Sequence, residues 1–119
     1  MDIDLVTIGT ELLLGFTIDT NSAFAGQRLG EAGVRIARRT SVRDDPAAIR
    51  IAVADGLARS RFVIATGGLG PTRDDMTKKV VAELFDAPLD FQESIWDDLK
   101  AKWARIGRTI SESNRCQAL

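Results

Sequence analysis

The chain has 119 residues, enough for one domain with a single hydrophobic core. Its 16 lysines and arginines nearly balance its 17 aspartates and glutamates, which argues against a nucleic-acid-binding protein that works by bulk charge. Because the chain has no histidine and only one cysteine, Cys116, the commonest general base, an internal disulfide and a cysteine zinc cluster are excluded.

The amino-terminal residues lead from an acidic start directly into an apolar run. The sequence contains neither a signal-peptide pattern nor an apolar stretch long enough to span a membrane. We therefore expect a cytoplasmic protein that has neither a membrane nor a nucleic acid as its partner.

Three segments have the composition of β-strands. The run from Ile3 to Ile8 is mostly apolar, as in a central strand that is buried on both faces. Residues 34–42 predict a second strand, and the arginines at its centre favour a position at the edge of the sheet. Residues 61–65 predict a short third strand.

Helical periodicity fills the segments between and after these strands. Gly33 is well placed to end the first helix, and Asp45 followed by Pro46 is a strong helix start. The predicted helices cover residues 21–32, residues 46–57, residues 75–85 and residues 92–106, and the tail from Glu112 onward could begin another.

Strands that alternate with helices predict parallel pairing and an α/β fold with helices on both faces of the sheet. If the first strand lies between the second and the third, the strand order reverses between the first and the third. The loops that follow those two strands, residues 9–21 and 67–75, would then meet at one crevice. This topology predicts that two distant parts of the sequence form one ligand site.

The loop after the third strand is rich in glycine and hydroxyl groups. Gly67, Gly68 and Gly70 allow the backbone to approach a ligand closely, and three glycines within four residues favour anion binding over a simple tight turn. The hydroxyls of Thr66 and Thr72 can donate to phosphate oxygens, although Thr66 also fits an ordinary strand end. We expect this loop to bind phosphate.

Carboxylates flank both loops. Asp74 and Asp75 could cap the third helix, or they could hold Mg²⁺ beside a phosphate, since one or two carboxylates and the substrate usually share that ion. Arg73 could pair with a phosphate or with one of these aspartates. Asp19 could cap a helix and Glu11 could lie on the surface, but both gain functional weight if the two loops meet.

Two apolar features suggest contacts beyond the site. Trp96 and Trp103 are seven residues apart in one helix and favour packing in a core or an interface. The run from Leu12 to Leu14 predicts a short helical turn that is buried against the domain or against another subunit. We expect a homo-oligomer, a dimer or a trimer.

Four motifs follow one another along the chain: Gly9-Thr10-Glu11-Leu12-Leu13-Leu14-Gly15, Asp19-Thr20-Asn21-Ser22, the segment from Thr66 to Thr77, and the segment from Glu112 to Ala118. Together they closely resemble the N-terminal domain of the CinA family, the competence/damage-inducible proteins. That family belongs to the molybdopterin-binding superfamily, with the MogA, MoaB and gephyrin-like proteins of molybdenum cofactor synthesis. The resemblance covers essentially the whole chain.

The resemblance implies a three-layer α/β/α fold and a ligand that is a small nucleotide or a pterin phosphate. In the CinA branch the domain resembles a metal-dependent ADP-ribose pyrophosphatase. In the MogA-like branch it binds molybdopterin and transfers adenylate to it with Mg²⁺. Asp75 matches the catalytic aspartate of the superfamily and Asp19 a second aspartate of the site, so both are expected to bind the cation, with Asp74 or Glu11 as helper or base. The glycine loop matches the phosphate-holding loop.

The family continues into further strands beyond the position of Leu119. We therefore expect residues 1–119 to be one domain that is incomplete at its C-terminal end. Two other functions stay open: a molybdopterin- or nucleotide-binding module without hydrolase activity, and a scaffold for oligomerisation.

Overall fold

A three-stranded parallel sheet lies at the centre of the computed structural model, which describes residues 1–119. The strands are β1 (Asp2–Ile8), β2 (Arg35–Val42) and β3 (Val63–Thr66), and their order is β2-β1-β3. The predicted central position of the first strand and edge position of the second are confirmed. The third strand begins two residues later than predicted, because Arg61 ends the preceding helix in the left-handed conformation, with φ 64°.

Helices connect the strands and extend the chain beyond them. Asp45 caps the longest helix as predicted, since its carboxylate accepts a hydrogen bond of 2.9 Å from the Ala48 amide. The helices are α1 (Thr10–Leu13), α2 (Thr20–Glu31), α3 (Pro46–Ser60), α4 (Thr77–Leu84) and α5 (Glu93–Arg105), and a 3₁₀ helix (Glu112–Ala118) follows them.

The main core lies between the sheet and the helices α3 and α4. Val6 and Ile8 of β1 pack there against Ile49 and Val53 of α3 and Val80 of α4, and all five side chains are buried. On the opposite face α2 packs against β2, where Gly26 lies beside Ile36. Side chains of β1 alternate between these two faces, so β1 is buried on both, as its composition predicted.

The C-terminal part of the chain forms a second, smaller packing unit. The buried Trp96 of α5 lies next to Phe91, and the guanidinium of Arg115 lies 4.3 Å from the centre of the Phe91 ring. The Lys78 ammonium of α4 donates to the backbone carbonyls of Cys116 and Leu119. These bonds hold the terminal 3₁₀ helix beside the glycine loop and α4.

One alternative is wrong in each of two predictions about local structure. The helix α4 begins at Thr77, and its N-cap, Met76, makes no side-chain capping bond, so neither Asp74 nor Asp75 caps it. The leucine run does form a short helix, but Leu14 is 61% exposed and is not buried against the domain. Burial against another subunit stays a prediction. None of the helices combines the length and apolar character needed to cross a membrane.

Candidate functional site

A crevice opens where β1 and β3 end, at the point where the strand order reverses. It has a volume of about 150 Å³ and receives residues from both loops that the sequence singled out. Glu11 and Asp19 come from the loop region after β1, and Thr66 and Gly67 come from the end of β3. The predicted convergence of the two loops is therefore present in the structure.

The carboxylate of Asp19 is held by the first turn of α2. Its Oδ1 accepts a bond of 3.0 Å from the Ser22 amide and its Oδ2 one of 2.5 Å from the Ser22 hydroxyl. Burial raises the pKa of this carboxyl, but the two Ser22 bonds and the nearby charge of Arg39, 3.9 Å away, outweigh it and lower the pKa below its usual value. Asp19 is thus a helix cap and, at the same time, an ionised group at the crevice.

Glu11 belongs to the short helix α1 and has no hydrogen-bond partner that fixes its carboxylate. Its Oε1 folds back over Gly9, where a Cβ atom would lie 2.5 Å from it. The start of α1 is tied down instead by Asp44, whose Oδ2 accepts bonds from the Thr10 amide at 3.1 Å and the Thr10 hydroxyl at 3.3 Å. The sequence reasoning missed Asp44, because its partner is 34 residues away.

The glycine loop is packed tightly against β1 and α4. Gly67 has φ 97°, and a Cβ atom there would lie 2.0 Å from the carbonyl oxygen of Ile8. Gly68 lies against Thr77, whose hydroxyl donates a bond of 2.8 Å to the Gly67 carbonyl. This bond joins the first residue of α4 to Gly67, which lines the crevice, so the position of the helix is linked directly to the crevice.

We expect Thr77→Val to destabilise the protein by about 1–2 kcal/mol, because it keeps the shape of a buried side chain but leaves the Gly67 carbonyl without its donor. Urea unfolding measures the free energy. The matched control is Thr10→Val, whose hydroxyl donates to the Asp44 carboxylate and accepts from the Asp44 amide; both bonds are exposed and should matter less. Equal losses in the two variants would contradict a special role for the Thr77 bond.

Asp75 lies in the turn that closes the glycine loop. Its Oδ2 accepts from the Thr72 hydroxyl at 2.7 Å and from the Thr72 amide at 3.0 Å. The Thr72 hydroxyl is the main cause of a lowered Asp75 pKa, which burial opposes and which the backbone amides of Thr72 and Gly70 reinforce. Asp75 therefore fixes the shape of the turn.

The side chain of Asp75 lines a second cavity, of about 260 Å³, with Arg73, Lys79 and Glu83. Asp19 lines the crevice instead, so the two aspartates that were expected to share a cation face different cavities. No group of three or more acidic, cysteine or histidine side chains is placed to hold a metal ion. Asp74 is exposed, and the roles expected for these residues stay predictions.

Comparison with known proteins identifies the family of this chain. Residues 4–117 match the sequence model of the family described as "Probable molybdopterin binding domain". The chain belongs to this family. It is 48% identical over 120 residues to a CinA-like protein of Gemmatimonas aurantiaca and 44% identical over 116 residues to one of Cyanothece sp.. Those matches cover 100% and 98% of this chain but only 28% of each relative, so the chain spans less than a third of their length.

Solved structures of the family share the fold. The protein CinA of unknown function from Thermoplasma acidophilum superposes with a TM-score of 0.78 at 33% sequence identity, over 98% of this chain and 67% of that one. The molybdopterin biosynthesis enzyme MoaB of Thermus thermophilus superposes with a TM-score of 0.64 at 20% identity, over 69% of this chain and 53% of that one. The second likeness concerns the fold alone. Together they establish the molybdopterin-binding fold that the sequence motifs implied.

Proposed function

We propose that the crevice between the loops after β1 and β3 binds a phosphate-bearing nucleotide and hydrolyses its diphosphate with the help of a divalent cation, as an ADP-ribose pyrophosphatase does. The convergence of Glu11, Asp19, Thr66 and Gly67 on one crevice is the observation that carries this proposal. Carboxylates beside a phosphate-binding backbone are the usual surroundings of Mg²⁺ in proteins that act on phosphates.

The side chains of the crevice supply some of the oxygen ligands that such a cation needs. Asp19 supplies one carboxylate to this cavity, and Mg²⁺ typically takes one or two carboxylates together with substrate oxygens and water, so Glu11 is left free to act on the attacking water. When bound, the cation would neutralise charge on the diphosphate and lower the pKa of an attacking water. Asp75 does not line this crevice, so we assign it to the shape of the loop.

The residues of the chain have separate roles in the proposed reaction. Backbone amides at Gly67 and Gly68 hold the phosphates, and the hydroxyl of Thr66 donates to them. Residues 1–119 contain no histidine, so we assign the proton of the attacking water to a carboxylate of the crevice. Glu11 suits that task, since its carboxylate has no partner to occupy it, whereas both oxygens of Asp19 accept bonds from Ser22.

A second candidate is a binding module for molybdopterin or a nucleotide that performs no hydrolysis. The family description and the engagement of Asp19 by Ser22 favour it. Such a module would bind its ligand through the glycine loop without turnover. It would leave Glu11 as a surface residue that contributes little to affinity.

The deciding assay incubates the 119-residue chain with ADP-ribose and Mg²⁺, with an EDTA control, and measures AMP and ribose 5-phosphate. We expect metal-dependent release of both products. Glu11→Gln should lower kcat by a factor of about 100 or more, in the range typical of a lost general base. Thermal unfolding should be unchanged, since this side chain is exposed.

The matched control is Glu31→Gln, an exposed glutamate at the far end of α2 that pairs only with Arg28. Its kcat should equal that of the parent chain. Release by the parent that survives in the Glu11 variant would contradict the assignment of the base. Binding of ADP-ribose without any release would favour the binding module.

A further inference from the structure

A third cavity, with a mostly polar lining, lies at the opposite end of the strands from the crevice. It has a volume of about 350 Å³ and opens where β1 starts and α3 ends. Three arginines line it: Arg38 from β2, and Arg59 and Arg61 from the end of α3. Ala37 is the one apolar residue in the lining. Measured along β1, this cavity is roughly 13 Å from the crevice, since a strand rises about 3.3 Å per residue.

The most deeply buried group of this cavity is a carboxylate. Asp4 is 2% exposed, and its Oδ2 accepts from Arg59 Nε at 3.1 Å and from Arg59 Nη2 at 2.6 Å. The Ser60 hydroxyl donates to the other oxygen of Asp4. The guanidinium of Arg59 is therefore fixed by bonds on its inner side, while the side chain remains 35% exposed towards the cavity.

The remaining arginines of the cavity form no hydrogen bond with a carboxylate, although the charge of Arg38 acts on Asp4 from a distance. Neither Arg38 nor Arg61 forms an ion pair, whereas Arg35 pairs with Asp2, the second carboxylate of the lining, at 2.7 Å. Both carboxylates are thus engaged, and two guanidiniums are left with unused donors. The negative end of the α3 dipole favours cations at Arg59 and Arg61, but it does not account for Arg38, which comes from another element.

Arg61 occupies a backbone conformation that favours glycine. Its φ of 64° places it in the left-handed region, where a side chain costs about 1 kcal/mol. Glycine is the usual residue at this position after a helix. An arginine there gives up stability while it places a guanidinium at the cavity, which is the pattern expected of a functional group.

We propose that this cavity binds the phosphate or diphosphate group of a small molecule, at a site separate from the crevice. A guanidinium presents its donors in a planar fork that matches the oxygens of phosphate, and three of them around one cavity can surround such a group. Arg59 is pre-oriented by Asp4, and Arg38 and Arg61 supply the free charge. The two unpaired guanidiniums offset most of the charge of a bound phosphate group, so the site can act without a metal ion.

The test titrates pyrophosphate into the ¹⁵N-labelled chain in the presence of EDTA, with amide shifts followed by NMR. We expect saturable shifts at residues 37–38 and 60–61 that are independent of any shifts at residues 66–70. The double variant Arg38→Gln/Arg61→Gln should weaken binding at least tenfold, since a charge-assisted hydrogen bond contributes about 1.5 kcal/mol or more. Failure of the ADP-ribose assay would not affect this result.

Two single variants distinguish a loss of binding from a loss of folding. Arg61→Gly removes the guanidinium and relieves the backbone, so we expect a higher melting temperature together with weaker pyrophosphate binding. Arg108→Gln, an exposed arginine in the loop after α5, should leave the binding unchanged. Shifts confined to residues 66–70, or binding that Arg61→Gly and the double variant leave intact, would overturn the proposal.

Discussion

Gly67→Ala is expected to destabilise the protein by more than about 4 kcal/mol, close to the whole stability of a small domain. A Cβ atom at this position would lie 2.0 Å from the carbonyl oxygen of Ile8, which belongs to the buried central strand and cannot move away. The φ of 97° adds strain for any residue with a side chain. Both effects arise where the glycine loop contacts the end of β1, at the crevice.

The matched control for this variant is Gly30→Ala. Gly30 lies inside α2, and a Cβ atom there would meet nothing within 4 Å. Alanine should therefore stabilise the helix by about 0.5–1 kcal/mol. Urea unfolding followed by circular dichroism measures both variants. A Gly67 variant that is as stable as the parent would show that the loop can move away from β1, and the tight packing described above would be wrong.

The fold could be predicted because its main signals are local. An apolar run typical of a central strand, a proline after an aspartate cap, and strands that alternate with helices favoured a central first strand, and the meeting of the two loops followed from that hypothesis, which the structure confirms. The start of α4 could not be predicted in this way. Asp75 looks like a helix cap in the sequence, but its carboxylate bonds to Thr72, three residues before it, and the helix begins only at Thr77.

The sequence predicted which loops meet at the crevice, but only some of the residues that line it. The sequence singled out Glu11, Asp19 and the glycine loop, and the structure brings them to one crevice. It could not reveal that Asp75 faces a different cavity, because that depends on the path of the backbone through residues 70–75. Nor could it find Asp44 or the pair of Asp4 with Arg59, whose members are 34 and 55 residues from their partners.

Breaking the pair of Asp4 with Arg59 is expected to have the second large effect on stability, after Gly67→Ala. Arg59→Met is expected to cost about 2–3 kcal/mol, because it leaves the carboxylate of Asp4 buried with only the Ser60 hydroxyl as a partner. Breaking a fully buried ion pair typically costs about 3–5 kcal/mol, and the partial exposure of Arg59 reduces this figure. The matched control is Arg35→Met, which breaks the exposed pair with Asp2 and should cost less than about 1 kcal/mol.

The cost of Arg59→Met should depend on pH in a defined direction. Burial raises the pKa of Asp4, but bonds from Ser60 and Arg59 and the charges of Arg59 and Arg38 outweigh it, so the pKa in the folded parent lies below its usual value. The stability that this carboxylate contributes is therefore present above pH of about 4 and is lost as the pH falls through the folded pKa. Without Arg59, burial dominates and the pKa of Asp4 rises.

The free energies of unfolding of the parent and of Arg59→Met should thus differ most at neutral pH, and the difference should narrow as the pH falls towards the lowered pKa of Asp4 in the folded parent. Urea unfolding from pH 7 to 3 measures the two curves; urea is preferred because it does not screen charges. The double variant Asp4→Asn/Arg59→Met removes the uncompensated charge, so it should recover part of the loss and remove most of this pH dependence. A gap that stays constant with pH would mean that Arg59 stabilises the protein through the packing of its side-chain stem and not through the charge of Asp4.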